Sequence, residues 1–469
     1  MFGTGLIVRL RLFKGAVRAA LTRHAGPARL FRRIAAVFRD EGLTGIGLRI
    51  RLFLSAQREQ SLGQPAALAT APAGPTAPLS VEPHPDWRRV RRSDLPPGAV
   101  LVGHPYAVLG RAEDIRTGAC AFAAADIPFA LRSTFGEYGK EMATLHRDFP
   151  FMDRIDPRAA YKANLFFLNA NEMDVAYAHM GSSFFAGRYN IGYFAWELSR
   201  FPDAWVDTFR YLDEIWAPSR FIQQAVADKA PCCPVVWMPL AVEPTCSTPL
   251  SRDYFNLPEN RFLVLFFFDF RSFIQRKNPW AALRAFATAF RDHHSAPVNL
   301  VIKMVGAEAR PEDYQDFLAS DAVRDPRVIL INRVMTDQEI KELVRLCDCF
   351  LSLHRSEGFG RGLAEAMYYG KPVVATGYSG NLDFMNEANS CLVDCTLIPV
   401  GPDEYPHGVG QRWAEPDVEQ AAWHLRRLVM DPAYAADIGQ RAAHYIRTYH
   451  SFAVIGARHR YRLKKLRLL

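Results

Sequence analysis

Apolar positions fall into three patterns along this chain. In residues 1–60 large apolar side chains alternate with arginines, as in Leu6-Ile7-Val8-Arg9-Leu10-Arg11-Leu12-Phe13 and Leu30-Phe31-Arg32-Arg33-Ile34. Basic amphipathic helices follow from that spacing. From Ser61 to Pro85 proline, alanine and threonine dominate, a composition that cannot bury a core and predicts an extended linker. Beyond it, short apolar runs alternate with segments of helical spacing. The runs Ala99–Gly103, Ala163–Leu168, Ile191–Ala195, Asp213–Ser219, Arg261–Phe270, Val298–Val305, Arg327–Val334, Cys349–Leu353 and Val373–Ala375 read as strands. Ala281, Leu283, Phe286 and Phe290 form one helical stripe, and Leu363, Ala366 and Met367 another. Thr336-Asp337-Gln338-Glu339 is a capping box that opens a further helix. Strand, turn, helix, strand is the unit of a parallel α/β sheet. Pro234–Leu240 reads as the opening strand of a second such sheet, with the hinge at 225–235.

Candidate chemistry gathers where strands end, which is where ligands bind in open parallel sheets. After Cys349–Leu353 comes Ser356-Glu357-Gly358-Phe359-Gly360, and Gly370-Lys371-Pro372 stops the helix that follows. Gly358 and Gly360 let the backbone approach a ligand, and the amides of the next helix offer an anion site. Glu357 in the turn and Glu365 about two helical turns later bracket it. By themselves they read either as solvated surface acids or as acceptors for sugar hydroxyls. Arg271, Arg276 and Lys277 lie past the end of the Arg261–Phe270 strand, either as solvated loop charges or as a clamp for a diphosphate. Gly103 ends the first strand, and Glu197 follows Ile191–Ala195, as an acceptor-side carboxylate or a capping one.

Length and charge bound the rest. A chain of 469 residues exceeds one ordinary core, so two domains plus extensions are expected. No apolar run approaches the ~18 residues of a spanning helix, and the first residues lack a signal-like apolar stretch, so export is not expected. The eight cysteines include no C-x-x-C pair and sit in apolar segments, as in a reduced, cytoplasmic protein. The net charge of +8 belongs to the two ends: twelve Arg and Lys lie between Arg9 and Arg58, and Arg458, Arg460, Arg462, Lys464, Lys465 and Arg467 close the chain. Such ends suit either an anionic membrane surface or a helical hairpin packed on the body with its arginines in water. Nucleic acid is disfavoured, because no stacking aromatics or recognised motif accompany the charge.

Glu357 through Glu365 matches an E-x7-E signature within EGFG…EAM-x-x-G-KPVVAT, and this stretch resembles glycosyltransferase family 4. Tyr193-Phe194-Ala195-Trp196-Glu197 and Asp213-Glu214-Ile215-Trp216-Ala217-Pro218-Ser219 extend the resemblance, which spans about 95–450. It implies a GT-B fold, two Rossmann-like α/β domains facing each other across a cleft. The expected boundaries are a basic helical extension (1–60), the linker (61–85), an acceptor domain (86–230), a nucleotide-sugar donor domain (231–430) and helices returning to the first domain (431–469). The resemblance also implies a retaining hexosyltransferase, moving a mannose-, glucose- or rhamnose-like sugar from a nucleotide diphosphate-sugar to a glycan or lipid-linked glycan in cell-surface polysaccharide or lipopolysaccharide synthesis. Arg271 and Lys277 would hold the diphosphate with Arg276 as a third cation, Glu357 the hexose, Glu365 the ribose, and the backbone at Arg333 and Val334 the base. Gly358, Phe359 and Gly360 would line the donor. No cofactor is expected beyond the co-substrate, and no metal, since no Asp-x-Asp motif stands beside the site. Relatives carry a histidine near the end of the strand finishing at Trp196-Glu197; here His179, at an earlier strand end, is the nearest. The contrasting reading is a catalytically silent sugar- or nucleotide-binding scaffold on the same fold.

Overall fold

The computed structural model describes residues 94–469, apart from 109, 135, 137–139, 147, 231, 232 and 294. The expected basic extension and linker therefore lie outside the described residues. Six short strands make a first parallel sheet: β1 (Ala99–Gly103), β2 (Phe129–Ser133), β3 (Ala163–Phe166), β4 (Tyr189–Tyr193), β5 (Glu214–Ala217) and β6 (Val235–Trp237), in the order β2-β1-β3-β4-β5-β6. Strands β1, β3 and β5 are buried throughout, as parallel strands sandwiched by helices must be, while the edge strand β6 is half-buried. Helix α1 (Gly110–Ala124) follows β1, α2 (Met173–Met180) follows β3, and α3 (Arg220–Ala227) follows β5 with Ser219 as its cap, accepting the Ile222 amide at 3.2 Å.

A second parallel sheet has the order β12-β11-β10-β7-β8-β9. Its strands are β7 (Phe262–Asp269), β8 (Val298–Val305), β9 (Val328–Asn332), β10 (Cys349–Ser352), β11 (Val373–Thr376) and β12 (Cys391–Val393). Between them run the single turn α4 (Ile274–Lys277), α5 (Pro279–Ala289), α6 (Asp337–Leu346) and α7 (Arg361–Tyr368). A small antiparallel ribbon, β13 (Cys395–Pro399) with β14 (Arg412–Pro416), precedes α8 (Val418–Met430), α9 (Pro432–Tyr449) and α10 (Phe452–Lys465). Thr336 caps α6 in the expected box: its hydroxyl accepts the Glu339 amide at 3.1 Å, and Glu339 accepts the Thr336 amide at 2.7 Å.

Two expectations need correction. Val235–Trp237 pairs in parallel with β5, so it is the last strand of the first sheet and not the opening strand of the second. Apolar period marks a strand but does not say which sheet it joins, and here the short helix α3 returns the chain to the neighbouring slot. His179 lies in the last turn of helix α2, not at a strand end.

The chain crosses between the halves after β6 and again between α9 and α10. The crossings touch, with Val242 donating to the His450 carbonyl at 2.8 Å. Helix α10 then lies on α1, where Gly456 meets the Ala121 carbonyl so closely that a Cβ would not fit. His459 stacks on Trp216 at 5.1 Å, and Leu463 and Leu468 are buried. Tail cations are consumed in this docking: Arg462 pairs with Glu214, Arg460 with the Ala125 carbonyl, and Arg458 lies over the Trp237 ring at 5.1 Å. Lys464 and Lys465 stay exposed, which thins the cationic surface expected of this end.

Candidate active site

The turn after β10 carries Glu357. Gly360, at φ +94°, takes the left-handed conformation that lets the chain enter α7 at once. Across from it, Phe273 stands at φ +62° just before α4. For a bulky residue that is an outlier of the kind found where a fold stores strain beside a ligand site. The bend delivers Arg276 and Lys277 to the same carboxylate. Lys277 Nζ is ion-paired with Glu357 Oε1, and Arg276 Nη1 lies 3.3 Å from Oε2 while donating to the Ser356 carbonyl at 3.0 Å. Burial would raise the Glu357 pKa, but Lys277 and then Arg276 outweigh it and bring it to about 2. Burial lowers the Lys277 pKa against the pull of Glu357. For Arg276 burial acts downward too, and Glu357 and Glu197 together more than reverse it.

Support beneath the turn is neutral and hydrogen-bonded. Ser379, itself at φ +75°, accepts the Glu357 amide at 2.8 Å, and the Gly380 amide donates to the Glu357 carbonyl at 2.9 Å. His354 is fully buried, bonded to Ser352 Oγ at 3.0 Å and Asn381 Oδ1 at 3.2 Å, and burial holds its pKa low. It is a structural histidine.

Arg271 does not join Lys277 at Glu357. It is half exposed and grips Asp269, the last residue of β7, at 2.7 Å. The third cation of the sequence reading, Arg276, is the buried one. Arg333 pairs with Glu339 at 2.6 Å, and Val334 is half exposed beside it. Phe359 packs on Phe384 at 5.1 Å and is a core residue, so only its backbone can serve the turn.

Glu365 is buried on α7. Burial raises its pKa to about 7, with Arg361 pulling down and Glu113 pushing up. Around it runs a charged cluster that joins the halves. Arg361 Nη2 meets Asp114 Oδ1 at 2.6 Å, Lys341 Nζ meets Asp337 at 2.6 Å and Glu113 at 3.5 Å, and Arg116 holds Glu113 at 2.9 Å. Glu113 is thereby held at about 2, burial notwithstanding, by Lys341, Arg116 and Arg361. Glu113 and Asp114, on α1, escaped the sequence reading. The available signal was Glu113-Asp114-Ile115-Arg116 just inside the helix that follows the first strand.

The first half supplies the other wall. Gly103 closes β1, where a Cβ would come within 3.1 Å of the Phe167 carbonyl. Glu197 Oε2 accepts the Tyr405 hydroxyl at 2.5 Å, and the Glu197 carbonyl accepts Ser356 Oγ. Tyr405, from the segment between β13 and β14, also escaped the sequence reading. Its ring lies 5.1 Å from Phe273 and 5.7 Å from Trp196, with Arg276 6.0 Å above it. Gly358 admits backbone at close range, and the backbone it meets is that of the first half. A Cβ there would stand 2.6 Å from the Trp196 carbonyl, and the Gly358 carbonyl accepts Ser219 Oγ at 2.6 Å.

Chemically, a buried and a partly buried cation with a helix N-terminus can stabilise an anion, while Glu357, Glu365 and Glu197 can accept hydroxyls. Residues 251–445, less than half of the chain, match the family model for glycosyl transferases group 1. The fold is similar to that of HepE from Anabaena, solved with UDP and glucose: 16% identity, 79% of this chain and 100% of that one, TM-score 0.56. Sucrose-phosphate synthase from Thermosynechococcus elongatus matches at 13% identity over 79% and 99% of the two chains, TM-score 0.54. A glycosyltransferase from Rickettsia africae matches at 14% over 79% and 98%, TM-score 0.53. Together with the two parallel sheets, these likenesses show a GT-B fold, and residues 251–445 resemble a group 1 glycosyl transferase domain.

Proposed function

We propose that this glycosyltransferase domain moves a hexose from a nucleotide diphosphate-sugar to a glycan or lipid-linked glycan, with retention of anomeric configuration and without a metal ion. The observation that carries the reading is the Lys277–Glu357–Arg276 triad set in front of the α7 amides. Breaking the anomeric C–O bond leaves negative charge on the diphosphate. Lys277, Arg276 and the helix amides stabilise that charge by preorganised electrostatics, which is worth most in a closed, water-poor cleft. Glu357, kept ionised by its two cations, accepts hydroxyls of the transferred sugar. Glu365 takes the ribose, and the turn at Arg333 and Val334 takes the base. The new C–O bond forms to an acceptor hydroxyl on the Glu197 side, and its proton leaves with the diphosphate. The complexes of HepE with UDP, glucose and UDP-glucose support a nucleotide-sugar donor of this class.

Cell-surface polysaccharide synthesis at the cytoplasmic membrane face is the setting we propose, resting on the cations of residues 1–60. No described helix is long and apolar enough to cross a membrane. The deciding experiment incubates the full chain with UDP- and GDP-hexoses and follows release of nucleoside diphosphate, with Lys277→Ala as control. Donor binding without release in the presence of glycan acceptors would favour the scaffold reading; absence of both would end the donor assignment.

A further inference from the structure

Lys303 stands on β8 between Phe267 of β7 and Ile331 of β9 in the sheet register. Strand alternation puts it on the same face as Val301, the face that carries α7. Phe267 lies directly against the first turn of that helix: a Cβ on Gly362 would come within 2.6 Å of its ring. Lys303 is only 7% exposed. The charged groups near it are Asp269, Arg333, Arg271 and Glu339. Both carboxylates are already taken, Asp269 by Arg271 at 2.7 Å and Glu339 by Arg333 at 2.6 Å. Among the described residues, Lys303 has no ion pair or hydrogen bond of its own.

A buried ammonium without a counter-ion is expensive, because desolvation is not repaid by pairing. Its pKa shows the strain: burial, with Arg333 and Arg271 adding to it, brings it to about 8 against the pull of Asp269. Folds retain such charges where a ligand completes them, at some loss of stability.

We propose that Lys303 is a phosphate ligand: with Arg271 and Arg333 it forms an anion pocket at the carboxyl ends of β7, β8 and β9, under the start of α7. The proposal rests on the reading of this cleft as a nucleotide site and adds to it a cation remote in sequence from the Arg271–Lys277 loop. It also gives Arg271 a place. Set apart from Glu357, Arg271 serves the same phosphate pocket as Lys303, while Arg276 and Lys277 meet the diphosphate from the Glu357 side.

Titration calorimetry on the full chain tests this with UDP, GDP, inorganic pyrophosphate and uridine, comparing wild type, Lys303→Met and Lys303→Arg. Losing a charge-assisted contact should weaken UDP or GDP and pyrophosphate about ten-fold or more in Lys303→Met, leave uridine unchanged, and be largely restored in Lys303→Arg. The melting temperature of Lys303→Met should equal or exceed that of wild type, because an unpaired buried charge is removed. Wild-type affinity for the diphosphates in Lys303→Met would overturn the proposal, as would an equal loss for uridine, which would make Lys303 a base contact. A Lys303→Met chain melting well below wild type would also overturn it, by making the ammonium a structural cation. If wild type binds none of the phosphates, the nucleotide reading itself falls and takes this one with it.

Discussion

Arg361, the first residue of α7, reaches from the second half to Asp114 on α1 of the first, guanidinium to carboxylate at 2.6 Å. Both side chains are largely buried, and Arg361 also donates to Thr117 Oγ1 at 3.3 Å and lies beside Glu365. The contact holds the helix at the candidate anion site closed against the opposite wall.

Asp114→Asn should loosen that closure. Removing one partner of a buried pair leaves an uncompensated charge and costs roughly 3–5 kcal/mol. Small-angle scattering should show a larger radius of gyration, and turnover should fall more than nucleotide affinity. An unchanged radius with unchanged turnover would mean the pair is dispensable.

Lys277→Ala and Glu357→Gln should not be equivalent. The first removes charge stabilisation in the transition state and should lower turnover by about 10²–10³-fold. The second leaves Lys277 and Arg276 facing each other without their carboxylate, so it should cost stability as well as donor affinity. A double-mutant cycle in thermal stability should give coupling well above the roughly 0.5 kcal/mol of independent sites.

Two buried carboxylates should respond to pH with opposite sign. Glu357 titrates near 2 folded and near its ordinary 4.5 unfolded, so its contribution is present above 4.5 and is lost as pH falls toward 2. Glu365 titrates near 7 folded and near 4.5 unfolded, so folding takes up a proton between those values, and stability declines as pH rises from 4.5 to 7. Melting curves should therefore show Glu365→Gln gaining on wild type as pH rises from 4.5 to 7, and Glu357→Gln losing its deficit as pH falls from 4.5 toward 2.

Gly358→Ala places a methyl against the Trp196 carbonyl, at a separation of 2.6 Å that backbone atoms cannot accept. The two halves must part at this point. Turnover should fall at least ten-fold, and the melting temperature should drop. A fully active Gly358→Ala enzyme would show that the closed contact is not used in the reaction.

Deleting residues 1–60 should abolish salt-sensitive flotation with anionic vesicles while leaving donor release in solution intact. Each cation near such a surface contributes on the order of 1 kcal/mol. Persistence of flotation in the truncated chain would shift the attachment to Lys464, Lys465 and their neighbours.

Much of this molecule was legible along the chain because the relevant physics is local. The β8 strand and the capping box at Thr336 depend on neighbours a few residues away, and each forms as the residues dictate. The Glu357 turn and the cation-bearing loop at 271–277 were also visible, as strand ends followed by helices. Partners were not. Lys277 meets Glu357 across 80 residues and Arg361 meets Asp114 across 247, and no spacing rule reaches that far. The same limit hid Tyr405, moved β6 to the first sheet, and left Arg276 looking like the least of three cations when it is the buried one. The sequence by itself determined which segments are strands and helices and which residue types could handle a charged donor. The tertiary structure alone decided which charges are desolvated together, because that depends on how the two halves meet, and desolvation is what turns an ordinary carboxylate into one that titrates near 2 or near 7.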